Sequence, residues 1–162
     1  MVRASRRGGL VGKTFERTFH VRWGDMDFNG HMKNTAFLDI SGDVRMMYFV
    51  EQGFPMREFE RLKVGPVMLR DELDYYKEMH LLEILRVDLC LAGLSADASR
   101  FCFRNEFFRD DGKRVARVSS TGGWLDLTAR RLVAPPQQLV QVLRDLAASD
   151  DFKELDSGVR KT

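Results

Sequence analysis

No stretch of this chain approaches the roughly 18 consecutive apolar residues that a membrane-spanning helix requires, so no membrane role is expected. Cysteine is scarce. Cys90 and Cys102 each lie in an apolar run and in no metal-ligand spacing. They read as small hydrophobes of a reducing compartment, with a disulfide unforced. Neither a Gly-x-Ser-x-Gly elbow nor a P-loop occurs, which sets aside the chemistry those motifs carry. Internal repeats and low-complexity linkers are lacking too. Charge of one sign does not accumulate: the net charge is +2, too near balance to make nucleic acid the expected partner.

What is present is a globular composition, with 44% hydrophobic and 31% charged residues over 162 positions, enough for one domain with a buried core. Residues 1–13 carry Arg3, Arg6, Arg7 and Lys13, no acid, and none of the apolar region of a secretory signal. A frayed, flexible start is expected there rather than a transit peptide, and the cytoplasm is the expected location. The domain is predicted over 14–148. Beyond Ala148 the chain is charged and aperiodic, so 149–162 is expected to be a disordered tail.

Within the domain the pattern changes period. Phe15, Phe19, Val21 and Trp23 share one parity, which predicts a half-buried strand ending at Trp23. From Asn34 to Val50, Phe37, Ile40, Val44, Met47 and Tyr48 recur at helical spacing, and Leu38 and Met46 widen the stripe. So broad a stripe predicts a helix wrapped by other structure. Gly42 within it suggests close packing, and Gly53 and Pro55 end it. Residues 54–66 read as a short helix or loop. Four strands follow, around 67–75, 85–91, 101–107 and 114–128, the last two joined by the hairpin signal Asp110-Asp111-Gly112-Lys113. Gly122-Gly123 marks a bulge or a close backbone approach. Pro135-Pro136 opens a terminal helix with Leu139, Val142, Leu143 and Leu146 on one stripe. One physical solution for this order is an α+β domain with a curled antiparallel sheet wrapped around one long central helix.

Chemistry concentrates between the first strand and that helix, in Gly24-Asp25-Met26-Asp27-Phe28-Asn29-Gly30-His31-Met32-Lys33-Asn34. Two carboxylates, an imidazole and two glycines lead into a helix N-terminus, where unpaired N–H groups and the macrodipole favour negative charge. Residue type alone allows bland roles. Asp25 and Asp27 suit Asx turns, Asn34 a helix cap, Gly30 a positive φ or a close substrate approach, and His31 backbone-satisfied packing or substrate polarisation. Asp25, Asp27 and His31 lack a fourth donor at supporting spacing, so no metal is expected.

The segment Gly24-Asp25-Met26-Asp27 followed by Gly30-His31-Met32-Lys33-Asn34-Thr35-Ala36-Phe37-Leu38 resembles the signature of the hot-dog-fold acyl-CoA thioesterases, the 4-hydroxybenzoyl-CoA thioesterase-like group. Trp124-Leu125-Asp126-Leu127 with Arg130, Arg131 and Pro135 is similar to the end of their last strand. The element order agrees, so the likeness covers about Thr14 to Leu143. It implies hydrolysis of an acyl-CoA thioester without a cofactor. Asp27 would be nucleophile or general base, a backbone N–H near Asn34 the oxyanion donor, His31 an orienting or polarising group, and Gly30 part of the substrate site. It also implies a homodimer or homotetramer with sites between subunits. Coenzyme A phosphates would draw on Arg104, Arg109, Lys113, Arg114, Arg117, Arg130 and Arg131. One departure stands out: where many members carry an acid on the long helix this chain has Gly42, flanked by Asp39 and Asp43. The competing expectations are a non-catalytic acyl-CoA sensor or scaffold and a dehydratase pairing His31 with Asp39 or Asp43.

Overall fold

The computed structural model describes residues 12 and 14–159. The flexible segment expected over 1–13 therefore lies outside the described residues, apart from exposed Gly12. The elements run β1 (Phe15–His20), α1 (Asn34–Glu51), α2 (Met56–Leu62), β2 (Val64–Tyr75), β3 (Ile84–Ser95), β4 (Arg100–Arg109), β5 (Arg114–Asp126), β6 (Arg131–Val133), α3 (Gln137–Asp145) and β7 (Ala148–Leu155). One seven-stranded sheet has the order β1-β3-β4-β5-β2, with β6 added to β5 and β7 to β3. Every pairing is antiparallel except β7 on β3.

The sheet curls because it has an apolar stripe to enclose. Phe101, Phe103 and Phe107 alternate along β4 and are fully buried on one face. Opposite them α1 presents Phe37, Ile40, Val44, Tyr48 and Phe49, all buried. Phe37 meets Phe107 edge-on at 5.2 Å, and Phe49 meets Phe103 at 6.0 Å and Trp124 at 5.9 Å. Burying each such ring is worth about 1.5–3 kcal/mol, so this contact fixes where α1 lies. The Tyr48 hydroxyl donates to the Val142 carbonyl at 2.6 Å, tying α1 to α3.

Two glycines expected to matter behave oppositely. A Cβ on Gly122 would collide with the Val67 carbonyl oxygen of β2 and come within 2.9 Å of the Phe101 ring, so the close approach is real. Around Gly42 nothing crowds a Cβ; the nearest group is the Arg45 guanidinium at 3.8 Å, so close packing is not its reason.

The structure corrects the sequence reading at two places. The first strand stops at His20, and Trp23 opens a 3-10 turn through Asp25 with its ring 82% exposed rather than inward. Residues 149–162 are not a disordered tail as far as they are described: β7 pairs in parallel with β3, from Leu91↔Ala148 to Ser95↔Leu155. Its sequence is polar because it lies at the sheet's edge, and backbone bonding rather than apolar alternation holds it. The Arg104–Asp151 ion pair at 2.5 Å adds to this. Farther on, the Gly158 N–H donates to Ser99 Oγ at 2.8 Å.

On the convex face Asp88 is half-buried, its Oδ1 accepting the Glu106 N–H at 2.8 Å. Burial, with neighbouring Glu106 adding repulsion, pushes its pKa up to about 6. A carboxyl whose folded-state pKa is raised favours folding while protonated. That contribution is complete below the unfolded value of about 3.9 and is lost as pH rises through about 6.

Two measurements check these points. Chemical denaturation should show Gly42→Ala stabilised by about 0.5–1 kcal/mol and Gly122→Ala destabilised by about 1–3 kcal/mol. Asp88→Asn, neutral at all pH and still an acceptor for Glu106, should be more stable than wild type at about pH 8. The gap should close toward about pH 4; parallel pH curves would count against the raised carboxyl.

Candidate active site

The loop between β1 and α1 is built by backbone bonds that follow from its residues. Asp25 is 4% exposed, and Arg22 holds it by both ends of the fork: Nε donates to Oδ2 at 3.0 Å and Nη2 to Oδ1 at 2.9 Å. These bonds hold its pKa below the usual carboxylate range. Its carbonyl accepts the Lys33 N–H at 2.7 Å. Asp25 thus closes the base of the loop and has the structural role its residue type allows.

Asp27 divides its work between two oxygens. Oδ1 accepts the N–H groups of Asn29 at 2.9 Å and His31 at 3.2 Å, the Asx turn its residue type suggested. Oδ2 has no hydrogen-bond partner among the described residues, and the half-buried side chain lines a cavity of about 350 Å³. Gly30 has φ +81°, the left-handed conformation that lets the turn close. It lies outside the cavity wall, with open space where a Cβ would be, so the backbone role is the one observed.

Beside Asp27 begins α1. Its cap is Lys33, extended at φ −67° and ψ 150°, with a side chain that cannot accept a hydrogen bond, and its first turn holds no acid. Asn34 is therefore the first helical residue, not the cap. Among the described residues the N–H groups of Asn34 and Thr35 have no partner. Eighteen aligned peptides place roughly half a positive charge at this uncapped end.

The opposite wall is the segment joining β2 to β3, which the sequence did not mark. The Met32 N–H donates to the Met79 carbonyl at 2.8 Å, with both methionines buried. Val21 exchanges backbone bonds with Leu82 and Glu83 at 2.9 and 3.0 Å. The Tyr75 hydroxyl donates to the Asn34 carbonyl at 3.2 Å, clamping β2 to the tip of α1. Phe37, Met32 and Met79 give the cavity an apolar floor, while Tyr75, Lys77 and Glu78 complete its sides. His31 Nε2 lies 3.2 Å from Glu78 Oε2, and the His80 ring stands edge-on to His31 at 5.7 Å.

Asp27, His31 and Asn34 therefore share one wall, as the sequence expects, and Gly30 does not join them. Asp39 and Asp43 are exposed on α1, and Asp43 borders a separate hollow with His20 and Arg22. The pairing of His31 with either acid is not assembled. No Asp25–Asp27–His31 donor set forms either, since Asp25 is committed to Arg22; His31 instead gathers with Glu78 and His80. Of the seven basic candidates, Arg104, Arg109, Lys113, Arg114 and Arg117 pair with Asp151, Asp111 or Glu106. Arg130, at the end of the β5–β6 turn, and Arg131, which opens β6, are exposed, make no ion pair among the described residues and line another hollow.

Comparison with known proteins covers this same region. Residues 21–143, which hold the acid loop, α1 and the cavity walls, match the family model of the thioesterase-like superfamily. The L-carnitine dehydrogenase/betainyl-CoA thioesterase of Agrobacterium fabrum is 26% identical over 144 residues, covering 87% of this chain and 29% of that protein. The chain thus spans less than a third of that relative's length. A Staphylococcus aureus protein solved in complex with CoA superposes with a TM-score of 0.75 at 20% identity, covering 86% of this chain and 90% of that one. A 1,4-dihydroxy-2-naphthoyl-CoA thioesterase from Synechocystis gives 0.74 at 20% identity, covering 83% and 98%. At such identities the structural likeness is one of fold. With its sheet curled round α1 in the hot-dog manner, and with the family pattern running from the acid loop to α3, the chain belongs to the thioesterase-like superfamily.

Proposed function

We propose that this chain is an acyl-CoA thioesterase in which Asp27 works on the thioester carbon and the first amides of α1 hold the carbonyl oxygen. The observation that carries this reading is the uncommitted Oδ2 of Asp27 in a cavity wall beside an uncapped helix end. Thioester hydrolysis concentrates negative charge on one oxygen in the transition state. Preorganised N–H donors act on that charge more strongly than on the ground-state carbonyl. Asn34 and Thr35 offer two such donors with the dipole of α1 behind them. Asp27 then attacks directly, forming a mixed anhydride that water opens, or takes a proton from water as the water attacks. In either route the C–S bond breaks and coenzyme A leaves as a thiolate that gains a proton. His31, paired with Glu78, orients the loop that carries Asp27. The betainyl-CoA and naphthoyl-CoA activities named for two similar proteins support this class of substrate.

The assembly follows from the edges. Among the described residues β2 presents a twelve-residue edge with no strand on its outer side, and Trp23 and Phe28 stand 82% and 99% exposed around the acid loop. In the reading we favour, two copies join β2 to β2 antiparallel. Arg130 and Arg131 lie by the Val64 end of β2, roughly 35 Å along the strand from the cavity at its Tyr75 end. Antiparallel pairing sets the partner's Val64 end beside this cavity. The two unpaired arginines then serve the coenzyme A phosphates of the opposite site.

Asp27→Asn is the informative variant because its Oδ1 still accepts from Asn29 and His31, so the loop persists while the chemistry is lost. Thiol release across short-chain, long-chain, aromatic and betainyl acyl-CoAs should fall by about 10²–10⁴-fold, with the melting temperature unchanged. Equal turnover by this variant removes the role assigned to Asp27, and tight binding by wild type without thiol release identifies a non-catalytic binder. Subunit sharing has its own check. Asp27→Asn chains, co-refolded with chains carrying Arg130→Glu and Arg131→Glu, should recover about a quarter of wild-type activity through mixed dimers. No recovery places both functions in one chain.

A further inference from the structure

We infer that His31, Glu78 and His80 form a binding site for a divalent transition metal of the zinc class at the rim of the cavity. Two imidazoles and one carboxylate make the donor set that holds zinc in open, three-ligand sites. The spacing suits it. Glu78 Oε2 lies 3.2 Å from His31 Nε2 and 4.0 Å from His80 Nε2, and one donor atom from each residue lies within 4.8 Å of the others. Zinc–ligand bonds of about 2.0–2.2 Å put neighbouring tetrahedral donors roughly 3.4 Å apart, so rotamer adjustment of about 1 Å brings all three onto one ion.

The backbone beneath these side chains is already fixed. Met32 and Met79, buried and joined by the 2.8 Å bond from N–H to carbonyl, are the immediate neighbours of all three donors. Met79 is buried while Glu78 and His80 on either side are exposed, and both stand beside His31, with Glu78 Oε2 3.2 Å from its Nε2 and the His80 ring 5.7 Å from its ring. Glu83 stands behind His80. Its Oε2 accepts the His80 backbone N–H at 2.9 Å and its Oε1 lies 3.6 Å from the ring Nδ1, with Nε2 on the Glu78 side at 4.0 Å. A short side-chain shift brings that carboxylate onto Nδ1 as the outer partner of a metal-bound histidine. Two carboxylates thus flank two imidazoles, a surrounding that suits a dication.

The inference does not rest on the hydrolase reading, because binding is measured with the metal alone. Zinc titrated into tag-free protein by calorimetry should bind once per chain, and cobalt should develop the visible absorption of a low-coordinate histidine site. His80→Ala and Glu78→Gln, both at exposed positions, should each weaken zinc binding at least tenfold. His20→Ala on β1 should leave it unchanged, and Asp27→Asn, expected to lack turnover, should bind zinc like wild type. Absence of a one-to-one zinc isotherm overturns the site, as does an isotherm that His80→Ala and Glu78→Gln leave intact. Either result would identify the cluster as hydrogen-bonded imidazole–carboxylate pairs.

Discussion

The constraint from which the rest follows is that α1 has too broad an apolar stripe to lie on a flat sheet. Phe37, Ile40, Val44, Tyr48 and Phe49 need cover on several sides, and only a sheet curled around them supplies it. Once the rings of Phe37 and Phe49 are seated against β4 and β5, the helix cannot slide or rotate without opening cavities, each costing several kcal/mol. Its N-terminus is then held at the rim of the sheet, where the β2–β3 segment crosses. A positive helix end beside the acid loop and the cavity is thus a product of core packing.

The two acids of the loop are held differently. Asp25, two residues before Asp27, is buried and bonded by Arg22 at both oxygens, which fixes the turn before the chain reaches Asp27. Asp27 spends one oxygen on the Asn29 and His31 amides and keeps the other uncommitted among the described residues. A carboxylate wholly engaged by the backbone would be a poor base, and one wholly unengaged would sample many rotamers. The observed arrangement fixes one oxygen and leaves the other without a partner among the described residues, on a side chain that lines the cavity.

Much of this was legible because period and turn chemistry act locally. The change from period two to the helical period of about 3.6 located β1 and α1, and Asp110 to Lys113 marked its hairpin, closed by Arg109 N–H to the Lys113 carbonyl at 2.9 Å. Trp23 was misread because parity says nothing about where a strand stops. β7 was misread because an edge strand held by backbone bonds and an ion pair needs no apolar alternation. The cavity's second wall was illegible for a different reason. Glu78 and His80 reach His31 through the Met32–Met79 bond, across more than forty residues of sequence, and no local spacing encodes such a contact.

Gly42 bears on the chemistry more than its size suggests. The resemblance assigns an acid to this position on the long helix in many members. Here it carries no side chain, and a Cβ placed there would meet only the Arg45 guanidinium, at 3.8 Å, which itself donates to Ser120 Oγ at 3.0 Å. Burial lowers the pKa of Arg45 from its ordinary value, yet a guanidinium stays charged in proteins. The acids on either side, Asp39 and Asp43, face solvent and cannot substitute. A mechanism that needs two carboxylates over one carbonyl therefore has only one from this stretch of the chain. In the mechanism we propose, the work therefore falls to Asp27, with the dipole of α1 supplying the electrostatic help and His31 with Glu78 supplying position.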